Sequence, residues 1–180
     1  MEICNTLLDK LRPLRLLALD VDGVLTDGRL TFHADGSESK SFHTQDGLGL
    51  KLLQASGVHL AIITGRRSEI VRQRAAALGI DLVFQGREDK LVALTELVNR
   101  FQLDWAQVGY CGDDLPDLSA IRKAGFGASV INAPDYIRHH CDYVTRQTGG
   151  QGAVRELCDL IMQAQGTWKA CMDHYLYTRP

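Results

Sequence analysis

An apolar run, Leu16-Leu17-Ala18-Leu19, leads straight into Asp20, and a second carboxylate, Asp22, follows just before Gly23. A run of about four to eight apolar residues closed by turn formers reads as a buried strand. In an open α/β sheet, ligands collect beyond the carboxyl ends of the strands. Asp20 therefore stands where chemistry is expected. Two carboxylates this close repel unless a cation lies between them or one holds a proton, and a divalent metal is the simplest answer. Taken alone, the pair also fits a polar turn after a strand, because aspartate is a common turn former.

Three later stretches end in the same kind of chemistry: Ile62-Ile63-Thr64-Gly65-Arg66, Lys90 after a short apolar segment at 81–84, and Cys111-Gly112-Asp113-Asp114 with Asp117 close behind. Strands of a parallel sheet all end on one side, so these groups converge although they are distant in sequence. Solvated turns account poorly for four such ends in this order. The set suits phosphoryl transfer. A carboxylate acts as nucleophile and forms an aspartyl-phosphate, and magnesium takes one or two carboxylates together with substrate phosphate. A lysine and a threonine hydroxyl hold the remaining phosphate oxygens, where stabilising charge is most of what a protein contributes.

The elements that must position these residues follow from periodicity. Residues 1–12 have helical spacing and Pro13 ends them. Asp35-Gly36 lies between two alternating segments within 30–42, a strong hairpin signal. Helices are expected at 46–56, 68–78, 88–101, 118–124 and 152–165, a helical turn at 134–140, and strands at 58–63, 81–84, 107–111, 126–130 and 143–145. Strands alternating with helices mean a doubly wound parallel α/β sheet covered on both faces. The run Gly149–Gly152 lacks the Walker lysine and reads as a flexible loop. The tail from 166 to 180 shows little pattern. His33 and His59 read as structural or surface residues, and His139-His140 as solvated.

The 180 residues allow one domain with a proper core. A formal net charge of −2 offers no basic surface for nucleic acid. No apolar run approaches the roughly 18–20 residues that span a membrane, and the first twelve residues lack the order of a signal peptide. Five cysteines without C-x-x-C spacing argue for reduced thiols and a cytoplasmic setting.

The stretches Asp20-Val21-Asp22-Gly23-Val24, Thr64-Gly65-Arg66, Lys90 and Gly112-Asp113-Asp114-Leu115-Pro116-Asp117 resemble, in order, the four motifs of the haloacid dehalogenase superfamily of phosphatases. Asp27-Gly28, Gln45-Asp46-Gly47, Asp142–Arg146 and Gly149–Glu156 extend the likeness to its 3-deoxy-D-manno-octulosonate 8-phosphate phosphatase subfamily, over about residues 14–166. The resemblance implies a Rossmann-like fold with a hairpin flap at about 29–42 and no separate cap domain. It implies Mg²⁺-dependent hydrolysis of a phosphorylated sugar acid, with a related acylneuraminate 9-phosphate or a non-catalytic role as alternatives. Asp20 is then nucleophile and metal ligand. Asp22 is general acid/base and gives a backbone carbonyl to the metal. Asp113 is the third ligand, Asp114 and Asp117 support, and Thr64 and Lys90 bind phosphate. Arg66, Arg74 and the loop His43-Thr44-Gln45-Asp46-Gly47 take substrate-contacting positions. The loop departs from the expected Asn-Val-Arg-Asp-Gly: Gln45 replaces an arginine suited to a sugar carboxylate. His43 is either a ligand contact or a loop histidine. A hairpin this small is marginal alone and leaves strand edges unpaired. Together with the resemblance, this leads to the expectation of a homotetramer whose hairpins pack together and whose C-terminal tails close neighbouring sites.

Overall fold

The computed structural model describes residues 5–177. In chain order the elements are α1 (Asn5–Leu11), β1 (Leu16–Leu19), β2 (Thr31–Phe32), β3 (Glu38–Ser39), α2 (Thr44–Ala55), β4 (His59–Thr64), α3 (Glu69–Leu78), β5 (Leu82–Gln85), α4 (Lys90–Phe101), β6 (Val108–Cys111), α5 (Leu118–Lys123), β7 (Phe126–Ser129), α6 (Asp135–Arg138), β8 (Tyr143–Val144), α7 (Ala153–Ala164) and α8 (Trp168–Tyr177). The main sheet runs β5-β4-β1-β6-β7-β8, and every pairing in it is parallel. The chain winds from β1 outward through β4 to β5, then returns past β1 to β6 and winds the other way. The order reverses between β1 and β6, so Asp20 and Asp113 follow the two strands that frame the switch point.

Alternation along the strands splits the apolar residues between two cores. Leu17, Leu19, Leu60 and Ile62 join the side covered by α2, α3 and α7. Leu16, Ala18, Ala61, Ile63, Val108 and Tyr110 join the side covered by α4 and α5. Both faces of the central strands are buried, which explains their near-continuous apolar runs.

Three expectations need correction. The stretch 44–47 is not a loop but the first turn of α2, with His43 as its N-cap residue. Gly47 in that turn and Gly49 just after it weakened the helical pattern, but Gly49 lies close against α7. A Cβ there would lie 3.2 Å from the Cα of Arg155. The Gly149–Gly152 run, expected as a flexible loop, is a turn in which Gly149 and Gly150 are buried. A Cβ on Gly149 would fall 1.6 Å from the carbonyl oxygen of Gly23, and Gly150 N–H donates to the Val24 carbonyl at 3.0 Å. This glycine run clamps the loop that carries Asp20 and Asp22. Finally, the tail carries α8, whose Trp168 and Cys171 pack on the core of α2 and α7. Residues 1–4, with Cys4 and the start of the expected first helix, lie outside the described residues, as do 178–180.

Asp46 has a structural task. No side chain within α7 caps its N-terminus. The buried Asp46 carboxylate does so from α2, accepting from the backbone N–H of Arg155 at 2.8 Å and of Gly152 at 3.4 Å. Burial pushes its carboxyl up, and these bonds only partly offset that. Asp46→Ala should cost about 1–2 kcal/mol, the upper range for a lost cap. Urea denaturation measures it, and an unchanged midpoint would show that α7 needs no cap from α2.

Candidate active site

A cleft of about 380 Å³ opens over the carboxyl ends of β1, β4 and β6, lined by Asp20, Asp22, Thr64, Arg66, Lys90 and Asp113, with Asp114 and Asp117 at its edge. A larger cavity of about 540 Å³ lies beside α7, lined by Gln45, Arg146, Arg155 and Glu156 among others. It gathers no cluster of carboxylates around a lysine, so chemistry, not size, selects the smaller cleft.

The centre of the cleft is Lys90. Its side chain is 4% exposed. Its ammonium donates to Asp20 Oδ1 and to the Ile63 carbonyl at 2.7 Å, and lies 3.3 Å from Asp117 Oδ1. A buried ammonium needs such partners, since an unpaired one is very costly. Lys90 opens α4, and the β5–α4 loop aims it back across the sheet.

Asp20, Asp113 and Asp117 each bring an oxygen within 4.8 Å of the others. Burial and the Asp117 charge push the Asp20 carboxyl well above the usual range, against the pull of Lys90. Burial and the charges of Asp20, Asp117 and Asp114 push Asp113 up to about 7. Crowded, oxygen-only donors suit a hard divalent cation. Asp117 is already committed: it accepts from Tyr110 Oη at 2.6 Å and from the backbone N–H of Asp113 and Asp114 at 3.1 and 3.3 Å. It therefore orders the loop. Asp113 lies against Gly23, whose φ is 103°. A Cβ on Gly23 would sit 2.0 Å from Asp113 Oδ2, so only glycine lets the two loops meet.

Thr64 is buried at the end of β4. Its Oγ1 accepts from Arg66 N–H at 3.3 Å. Asp114 caps the short turn Leu115–Asp117 through Leu115 N–H at 2.8 Å. The start of α2 and Arg74 are not part of this cleft. Arg74 donates to the His43 carbonyl at 3.3 Å and lies over the Phe42 ring, while the buried Nδ1 of His43 has no hydrogen-bond partner among the described residues. Thr44 is exposed in the first turn of α2, and Gly47 faces Arg74.

This geometry has known counterparts. A model of haloacid dehalogenase-like hydrolases matches residues 83–157. The chain is 43% identical over 157 residues to the 3-deoxy-D-manno-octulosonate 8-phosphate phosphatase KdsC of Escherichia coli K12, covering 87% of this chain and 84% of that one. The chain belongs to the haloacid dehalogenase-like hydrolases. Among solved structures, this hydrolase superposes with a TM-score of 0.94 and 47% identity on the 3-deoxy-D-manno-octulosonate 8-phosphate phosphatase of Moraxella catarrhalis in complex with magnesium, phosphate and a KDO molecule, covering 96% of this chain and 99% of that one. The cobalt-bound phosphatase of Haemophilus influenzae gives a TM-score of 0.86 at 42% identity, over 89% and 94% of the two chains.

Sequence reasoning missed several residues of the hydrolase site. Thr26 Oγ1 accepts from Gly23 N–H at 3.3 Å and Gly28 N–H at 3.2 Å, closing the first loop on itself. Tyr110 holds Asp117 from within β6. Lys40 and Glu38, on the hairpin, reach Asp22 and Ser68. Alternating polar residues in a short hairpin gave no sign of facing inward.

Proposed function

We propose that this chain is a single-domain phosphatase that hydrolyses 3-deoxy-D-manno-octulosonate 8-phosphate to the free sugar acid and phosphate, through an aspartyl-phosphate on Asp20. The observation that carries the reading is the buried Asp20–Lys90 pair at the switch point, with Asp22, Thr64 and Asp113 in the same cleft. The similarity to the Escherichia coli and Moraxella 3-deoxy-D-manno-octulosonate 8-phosphate phosphatases supports this ester as the substrate. The reaction belongs to the synthesis of lipopolysaccharide sugars. Thiols unpaired at Cys111, Cys141, Cys158 and Cys171 suit a reducing cytoplasm. Among the described residues no helix is long and apolar enough to cross a membrane.

In the first half-reaction an Asp20 oxygen attacks phosphorus. The bond from phosphorus to the sugar oxygen breaks as Asp22 gives its proton to that oxygen. In the second half, water attacks phosphorus and Asp22 takes its proton. The bond from Asp20 breaks, so phosphate leaves and the carboxylate returns. Lys90 and Thr64 hold the non-bridging oxygens, where charge develops. Asp20, Asp113 and the Asp22 backbone carbonyl would hold Mg²⁺, which when bound supplies positive charge against the carboxylates and the phosphate. Arg66, 43% exposed at the mouth, offers a guanidinium to the sugar carboxylate.

A phosphate-release panel of sugar-acid and sugar phosphates tests the reading. The octulosonate ester should be turned over most efficiently. Faster turnover of an acylneuraminate 9-phosphate, which Gln45 leaves open, would replace the substrate assignment.

Metal binding should depend on pH in a defined direction. Asp113, at about 7 in the fold against about 3.9 unfolded, destabilises the metal-free fold as pH rises through that window, because its charge then develops in a crowded site. Mg²⁺ relieves that strain and needs the deprotonated form. The rise in Tm on adding Mg²⁺ should be small near about pH 5.5 and grow towards about pH 8. A rise independent of pH would remove Asp113 from the metal site.

We also propose a homotetramer. On the hairpin, Leu30 is 44% and Phe32 63% exposed, and among the described residues β2 and β3 pair only with each other. His43, Thr44, Gln45, Gly47 and Arg74 stand apart from the chain's own cleft, so their contact with substrate requires a neighbouring subunit. Light scattering should give four chains, and a fully active monomer would refute the assembly.

A further inference from the structure

Lys40 is a cation of the hairpin that the mechanism above does not use, and its side chain, unlike that of Arg29, is buried. It follows β3 directly, in an otherwise exposed flap, yet its side chain is 1% exposed. Its ammonium donates to Asp22 Oδ1. Desolvating an ammonium is costly unless it gains a charged partner, and surface solvation would have been available to a lysine in so small a flap. The flap is docked by neighbouring contacts of the same kind. Ser68 Oγ donates to Glu38, Arg66 lies 3.7 Å from the second Glu38 oxygen, and the same guanidinium lies over the Phe32 ring.

The other Asp22 oxygen, Oδ2, is differently placed. The nearest cationic atom is Arg66 Nε at 4.0 Å, too far for a hydrogen bond. One oxygen of the carboxyl is therefore fixed by the flap, and the other is left to carry and deliver a proton.

We propose that Lys40 is a positioning residue: by holding Asp22 Oδ1 from the hairpin, it fixes Oδ2 in line with the leaving oxygen of the phosphate ester, so that the flap, and not the sheet, sets the aim of the general acid. Burial keeps the Lys40 ammonium out of contact with substrate, so it acts only through Asp22. The proposal rests on the assignment of Asp22 as the proton donor.

The two readings separate by leaving group. Phenyl phosphate and p-nitrophenyl phosphate have nearly the same shape and no carboxylate, but phenoxide needs a proton on departure far more than nitrophenoxide does. The value of kcat/KM reports the steps up to phosphoryl transfer, so it senses that proton. General acid catalysis contributes about 10²–10⁴-fold. In Lys40→Met, kcat/KM should therefore fall at least about tenfold further for phenyl phosphate than for p-nitrophenyl phosphate. Asp22→Asn should show the same imbalance more strongly, and Lys40→Arg should recover part of it. A merely structural role would lower both esters equally. Should Lys40→Met fail to fold, Lys40→Gln, which keeps a donor but not the charge or length, carries the same comparison. Equal losses in the Lys40 variants beside unequal losses in Asp22→Asn overturn the role of Lys40. Equal losses in Asp22→Asn overturn the acid assignment itself, and the proposal with it.

Discussion

Asp20→Asn should lower phosphate release by at least about 10⁴-fold, the scale of loss seen when a nucleophile is removed, and leave the fold in place. The amide is a poor nucleophile and a weaker metal ligand, and no other carboxylate can take over. Asp117 is bound by Tyr110 and two backbone N–H groups, and Asp113 lies against Gly23 and in the proposed mechanism serves the metal. Stability follows a different balance. Burial and Asp117 already oppose the Asp20 charge, so an amide relieves repulsion. Lys90 loses one partner but keeps Asp117 and the Ile63 carbonyl. The Tm of the metal-free variant should stay within a few degrees of the parent, while its response to Mg²⁺ shrinks. Residual activity within tenfold of the parent, with the metal response intact, would move the nucleophile elsewhere.

Much of the candidate site was legible because Asp20, Thr64 and Asp113 lie at or just beyond the ends of the apolar strands β1, β4 and β6, while Lys90 opens α4. The hairpin was legible from Asp35-Gly36, which the structure places at its turn with Gly36 at φ 83°. What stayed hidden depends on tertiary contact. Thr44-Gln45 looks like a loop by local propensity and the expected helix begins only at Asp46, but α2 begins at Thr44, and Gly49 admits α7 close to it. Nothing in the hairpin pattern singles out Lys40, and only the fold shows its ammonium turned towards Asp22. The missed α8 is a different failure, since Trp168, Cys171, Met172 and Tyr175 have the spacing of a helix face. Gly166 and Thr167 stand just before it, so a start signal was present as well as the face pattern. Loop residues that touch other loops, such as Gly149 on Gly23, carry no periodic signal.

Lys90→Met should have the largest effect on stability. Methionine matches the length of the lysine stem but removes the charge around which Asp20, Asp113 and Asp117 are arranged. Breaking a buried ion pair by removing one partner costs about 3–5 kcal/mol, because it leaves an uncompensated charge. Here the stranded carboxyls have an escape: they can take up protons, at an energetic cost that rises with pH. The metal-free variant should therefore lose about 3 kcal/mol or more near pH 8 and clearly less near about pH 5, where the carboxyls protonate readily. Mg²⁺ should recover part of the stability, since it answers the same repulsion. It should not recover activity, because in the proposed mechanism Lys90 also holds the transferring phosphoryl group. Loss of one such stabilising group lowers kcat by about 10²–10³-fold. Urea denaturation at both pH values, with and without Mg²⁺, beside phosphate release at saturating Mg²⁺, separates the two roles. A stability loss equal at both pH values would mean that Lys90 contributes by packing alone. Activity restored by Mg²⁺ would confine Lys90 to balancing the charge of the empty site and take it out of phosphate binding.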